Sequence, residues 1–308
     1  MNTVRQHIRV LLSATAIAAP LVLGLMSPAA EARERAVQRT NAAGATIHRN
    51  TVRKMESGTV TSNSTRVGAN GQVSTRTSTG TLDKEAGTWS RSAVTTGPNG
   101  KSSSLNADVV RTDDGYVRDA TRVGPNGNST ATHTEAVRTE NGRSINTTVT
   151  GPNGGVSTRA TDVVRTDTGS ERNTVITGPN GRSAAANTIV TRTEDGVARS
   201  TVVTGPNGQT MTREGSASYD ADTRTLSRTA TTTGPNGNTA TFNSTATRTE
   251  DGYVRDASRT GPNGNMVTSN TVGSYDADTQ TATRSTTVTG PQGQTRSTVT
   301  SSTFTPAP

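Results

Sequence analysis

The sequence predicts an all-β protein: tandem β-hairpin repeats of 27 or 29 residues that form an extended, twisted antiparallel meander. Three observations predict it. Gly-Pro-Asn-Gly occurs seven times, starting at Gly97, Gly124, Gly151, Gly178, Gly205, Gly234 and Gly261. A fixed period of this size marks one supersecondary unit copied in tandem. A second turn sits between successive copies, as in Thr139-Glu140-Asn141-Gly142, with the Asn-Gly chemistry that closes hairpins. Thr makes up about a fifth of the chain, and β-branched residues suit a pleated backbone.

Four segments follow in order. Residues 1–32 read as a cleavable signal peptide. Arg5 and Arg9 precede an apolar stretch from Leu11 to Met26, and Ala30-Glu31-Ala32 has the small-x-small pattern cut by a signal peptidase. Residues 33–66 read as a basic, flexible lead-in. Residues 67–302 are the hairpin array, and 303–308 a loose tail. With Cys absent from the chain, there is neither a disulfide nor a lipid-attachment thiol.

Within a repeat, Pro suits the second position of a type I or II turn, and Asn and Gly tolerate left-handed backbone at the next two positions. Gly68-Ala69-Asn70-Gly71 and Gly290-Pro291-Gln292-Gly293 extend the series at its two ends. Units of 29 residues carry a second turn longer by two, for example Asp220 to Thr225. Strand side chains alternate with period two, so an even insertion leaves every facing unchanged.

Aligned repeats show positional choices. In the longer strand, the seventh residue after the Pro turn is small (Ser78, Ala107, Thr134, Thr161, Thr188, Gly215, Ser244, Thr271), and the ninth is small or Val. Both lie on one face, which permits another layer to approach closely. In the shorter strand the third residue is Arg91, Arg118, Arg172, Arg199, Arg228, Arg255 or Arg284, with Ile145 the exception. In a meander this Arg row recurs every ~9.6 Å. Beside the acidic turn, Arg111 faces Tyr116, Arg138 faces Arg143, Leu82 faces Trp89 and Tyr219 faces Leu226. These are structural cross-strand pairs.

Tyr219-Asp220-Ala221-Asp222, followed by Gly234-Pro235-Asn236-Gly237, resembles the tyrosine-aspartate repeats of bacterial Rhs-type secreted proteins. A second Tyr-Asp copy begins at Tyr275. The resemblance implies β-hairpin sheets, of the kind those proteins wind into shells, and transfers no active residue.

Composition bounds the function. Hydrophobic residues are 28% and aromatics 2% of the chain, too few for a conventional apolar core. The low hydrophobicity keeps a largely disordered repeat polymer as one alternative, and a β-solenoid is the other. The strands lack the apolar band and aromatic girdles of a transmembrane barrel. No nucleophile and base stand out from the repeated background, so a catalytic role, a metal and a cofactor are not expected. The acidic turns lack a full calcium ligand set. A net charge of +8 and a pI near 10.7 point to an anionic partner. The Arg row suits an envelope glycan or lipopolysaccharide, whereas nucleic acid is disfavoured by the scarcity of stacking aromatics. The expected role is an exported, non-enzymatic structural or adhesive protein of the periplasm or surface that binds polyanions. The alternative is a passive scaffold or spacer with no specific ligand, able to self-assemble through open sheet edges.

Overall fold

Twenty strands follow one another along the chain, each hydrogen-bonded antiparallel to the next, in the computed structural model, which describes residues 31–40 and 45–306. They are β1 (Glu31–Thr40), β2 (Thr46–Glu56), β3 (Thr59–Val67), β4 (Val73–Asp83), β5 (Thr88–Thr96), β6 (Ser102–Arg111), β7 (Gly115–Val123), β8 (Ser129–Thr139), β9 (Gly142–Thr150), β10 (Val156–Thr166), β11 (Gly169–Thr177), β12 (Ser183–Thr193), β13 (Gly196–Thr204), β14 (Thr210–Asp220), β15 (Thr225–Thr233), β16 (Thr239–Arg248), β17 (Gly252–Thr260), β18 (Met266–Asp276), β19 (Thr281–Thr289) and β20 (Thr295–Pro306). The last strand also pairs with the first, with Arg33 opposite Pro306 and Thr40 opposite Val299. The sheet is therefore a closed barrel.

Four expectations are corrected. The meander is neither open nor a solenoid, because the accumulated twist and stagger bring β20 onto β1. Residues 33–66 supply β1 to β3 instead of a flexible lead-in, and the segment expected as a loose tail extends β20 to Pro306. Self-association through sheet edges loses its basis, since a closed sheet has no edge to offer. The body of the predicted signal peptide lies outside the described residues.

Stepping along paired residues once around the sheet returns to β1 about 22 residues further on. With strands ~4.8 Å apart this gives a tilt of roughly 37° and a backbone circle roughly 38 Å across. Barrels of 16–18 strands already enclose an aqueous channel, so this one encloses a wide lumen. Its wall is about 26 Å tall.

The two ends differ in turn chemistry. At one end, Gly124-Pro125-Asn126-Gly127 forms a turn in which the Gly127 amide donates to the Gly124 carbonyl at 3.0 Å. Gly127 has φ of +81°, and the Gly124 amide donates to the Asn128 carbonyl at 2.8 Å. This is a type I turn closed by a left-handed Gly, a three-residue hairpin loop. It explains why Gly holds the fourth position in every copy.

At the other end the tips mesh with the next hairpin. The Asn141 carbonyl accepts from the Arg165 amide at 2.7 Å, and the Thr168 carbonyl accepts from the Arg192 amide at 2.7 Å. Gly142 follows the tip, and a Cβ there would sit on the Val163 carbonyl. The same fit recurs at Gly115, Gly169, Gly196 and Gly252. Replacing Gly142 with Ala is expected to destabilise the barrel by about 1–3 kcal/mol through overpacking. Urea unfolding measures this, and an unchanged midpoint would mean that the tips do not mesh.

In the longer tips, the Asp220 carboxylate accepts from the Asp222 amide at 2.9 Å and the Thr223 amide at 3.1 Å. These bonds, Thr223 foremost, hold its pKa below the ordinary carboxylate value. Asp276 repeats the arrangement with Thr279. Arg224 and Gln280 have φ of +52° and +48°, where the equivalent residue of the β4–β5 tip is Gly87. Changing Arg224 to Gly is expected to stabilise the hairpin by about 0.5–1 kcal/mol by removing left-handed strain, read as a higher melting temperature.

Candidate functional site: an arginine-lined lumen

Register assigns every strand residue to one of two faces. Thr161 pairs with Ile145 and Thr174, and Arg172 pairs with Val163 and Thr188. Followed around the barrel, this face holds every strand arginine from Arg35 to Arg296 and no strand carboxylate between those two residues. The opposite face holds Asp108, Asp119, Glu135, Asp162, Glu171, Glu214 and Asp256. Adjacent residues of opposite charge, such as Arg118-Asp119, Arg213-Glu214 and Arg255-Asp256, therefore point to opposite sides of the wall.

The arginine face is the inner one. The buried strand residues all belong to it, including Ala107, Thr161 and Thr271 at 2–4% exposure, as a concave surface requires. The hand agrees: the register advances toward the C-terminal end of β1, which with right-handed strand coiling turns the same face inward.

The seven predicted arginines lie on β5, β7, β11, β13, β15, β17 and β19, all facing the lumen. Each stands between the ninth residue of the preceding long strand and the seventh of the following strand, or its counterpart in β20. Arg228, for instance, lies between Ala217 and Ser244, and Arg284 between Gly273 and Thr300. The small residues do not admit a second layer, as the sequence suggested; they flank the arginines of the same layer. The predicted cross-strand pairs Arg111–Tyr116, Arg138–Arg143, Leu82–Trp89 and Tyr219–Leu226 all form in register.

Hydroxyls satisfy several guanidiniums. Arg49 Nε donates to Ser64 Oγ at 3.0 Å, Arg76 to Thr95 at 3.3 Å, Arg199 Nε to Thr201 at 3.3 Å and Arg255 Nε to Ser244 at 3.5 Å. Rungs of paired Thr, such as Thr161–Thr174 at 3.2 Å, lie among them. Arg35 aside, no described arginine pairs with a carboxylate. Arg172 shows the consequence. Burial, then Arg159, Arg143 and Arg199, push its pKa down. Arg159 Nε is buried without a hydrogen-bond partner. Two guanidiniums ~9.6 Å apart repel by about 0.4 kcal/mol in bulk water and about 1.7 kcal/mol at an effective dielectric of 20. Each pair costs little, but the ring sums many.

The outer wall is polar at mid-height. His133 Nδ1 lies 2.7 Å from an Asp119 oxygen, Asn187 donates to Glu171 and to Asn173 at 2.7 Å each, and Asn270 donates to Asp256 at 2.8 Å. No helix among the described residues is long and apolar enough to cross a membrane, which says nothing about crossing with strands. Sequence reasoning missed the remaining lumen arginines, among them Arg122, Arg143, Arg159, Arg213 and Arg259. Their signal was parity: each lies an even number of residues along its strand from a row arginine, from the pairing partner of one or, for Arg143, from Ile145 at the row position.

Comparison with known proteins adds little to this geometry. No family model matches the chain, and no curated protein matches it in sequence. Among solved structures, a triple mutant of the Rh. blastica porin aligns over 90% of this chain and 99% of its own, with 9% identity and a TM-score of 0.38. The outer membrane protease OmpT from Escherichia coli aligns over 89% and 93%, with 11% identity and a TM-score of 0.12. Likenesses this low carry no functional argument.

Proposed function

We propose that this is an exported, non-enzymatic protein of the bacterial envelope or surface that holds an anionic polymer inside its barrel. One observation carries the reading: the wall sorts its charges, with strand arginines inside and carboxylates outside. Guanidiniums spaced around a water-filled bore match a chain of phosphates or sulfates, for which Arg is the fitting residue. An envelope glycan or the phosphates of lipopolysaccharide supply that chemistry. Export rests on the signal-like residues 1–32.

The wall height and strand tilt would suit a bilayer, but the outer chemistry argues for water. On the lipid face of a membrane barrel a midplane charge costs roughly 2–4 kcal/mol for Arg or Lys and less for Asp or Glu, and Asp119, Glu135, Asp162, Glu171 and Asp256, whose costs would add, all lie along the outer wall. We therefore read both faces as solvated.

Fluorescence anisotropy with end-labelled inorganic polyphosphate tests the proposal. Binding is expected at low salt, weakening on a log–log slope of about −4 if roughly six guanidiniums are engaged. Absence of binding at low salt would reject it and leave a passive spacer with no specific ligand.

A further inference from the structure

The two mouths of the barrel carry opposite electrostatic characters. The Asn-Gly-type and longer tips place Asp113, Asp114, Glu194, Asp195, Glu250 and Asp251, with further carboxylates, on one rim, all exposed. The described Gly-Pro-Asn-Gly-type loops of the other rim carry no carboxylate. They add Lys101 and Arg182, which reach the neighbouring loop at Asn126 (3.2 Å) and Asn207 (3.0 Å). Lumen arginines stand just inside both rims: at this one Arg122 pairs with Thr130 and Arg259 with Val267, while at the acidic one Arg111, Arg138, Arg165, Arg192 and Arg248 offset part of the carboxylate charge. The mouths are about 26 Å apart, more than two screening lengths at physiological ionic strength. An approaching polymer therefore feels each mouth separately.

Resting on the reading of the lumen as a polyanion site, we infer that a linear phosphate polymer enters through the Gly-Pro-Asn-Gly rim, and that the acidic rim is a stop that repels it from the other mouth. The barrel is thus one-ended toward its ligand. Charge that attracts or repels at an entrance acts mainly on the association rate, by factors of ten to a thousand.

Stopped-flow association of end-labelled inorganic polyphosphate with the full chain tests this. One variant adds four acids to the entry rim: Asn126→Asp, Asn153→Asp, Asn207→Asp and Asn236→Asp. The other adds four to the acidic rim: Asn141→Asp, Thr168→Asp, Ala221→Asp and Ala277→Asp. Both change net charge equally. The entry-rim variant is expected to associate at least ~10-fold more slowly, and the acidic-rim variant within about twofold of the parent. Equal slowing in both, or greater slowing at the acidic rim, would overturn one-ended entry while leaving lumen binding intact. A parent chain that does not bind at all would instead reject the lumen reading. Circular dichroism of each variant confirms that the barrel remains folded.

Discussion

Replacing Arg118, Arg172, Arg199 and Arg228 together with Gln is expected to weaken polyphosphate binding at least ~100-fold at low salt. It should also flatten the log–log salt slope by about 3, since each guanidinium–phosphate pairing accounts for ~0.7 of it. The four side chains lie on alternate strands of one arc and face the same lumen. Gln keeps hydrogen-bonding capacity and most of the stem, so packing against Ser244, Thr188 and Gly215 changes little. The free barrel should be no less stable, because Arg172 is desolvated among like charges. Anisotropy titrations at several salt concentrations, with thermal melts in parallel, separate the two effects. An unchanged slope would place the ligand elsewhere. Lower stability of the free variant would mean that the arginines hold the wall together by interactions other than the hydroxyl bonds described.

Removing residues 295–308 is expected to have the largest effect on the folded state. β20 pairs with both β19 and β1, so its loss exposes two full strand edges at once. Open edges template pairing with other chains. The truncated chain should form concentration-dependent oligomers in sedimentation velocity and lose the cooperative melt of the parent. A monomeric truncation with an unaltered melt would show that closure contributes nothing to stability.

Much of this wall was legible in the sequence, for local reasons. Turn residues fixed both hairpin ends, and the period of two then fixed which residues face one another. The Arg111–Tyr116 and Leu82–Trp89 pairs follow from counting back from their turns. The longer tips kept facing because their insertion is even. Closure was not legible, because it depends on twist and stagger summed over all the strands, and no single residue records that sum. The strands before Val67 were missed for a different reason. Their tip at Ser57-Gly58 lacks the repeated motif, and the Arg-rich stretch read as a charged lead-in when Arg35, Arg39, Arg49 and Arg53 fall at alternate positions onto the lumen face. The charge sorting was available in principle. Arg118-Asp119 and Arg255-Asp256 occupy equivalent positions, and period-two alternation already sends one inward and the other outward.

The lumen, its sorted charges and its two rims all depend on closure of the barrel, and a cross-seam disulfide tests closure most directly. Ala36 of β1 and Thr303 of β20 are register partners across the closing seam, although far apart in sequence. The chain has no native Cys to compete. In the Ala36→Cys, Thr303→Cys double variant, mild oxidation should give an intramolecular disulfide in high yield, independent of protein concentration, as efficiently as a control pair at Val52 and Asn63 within the β2–β3 hairpin. A control that cross-links while the seam pair stays reduced, or forms only intermolecular dimers, would contradict closure and return the chain to an open meander.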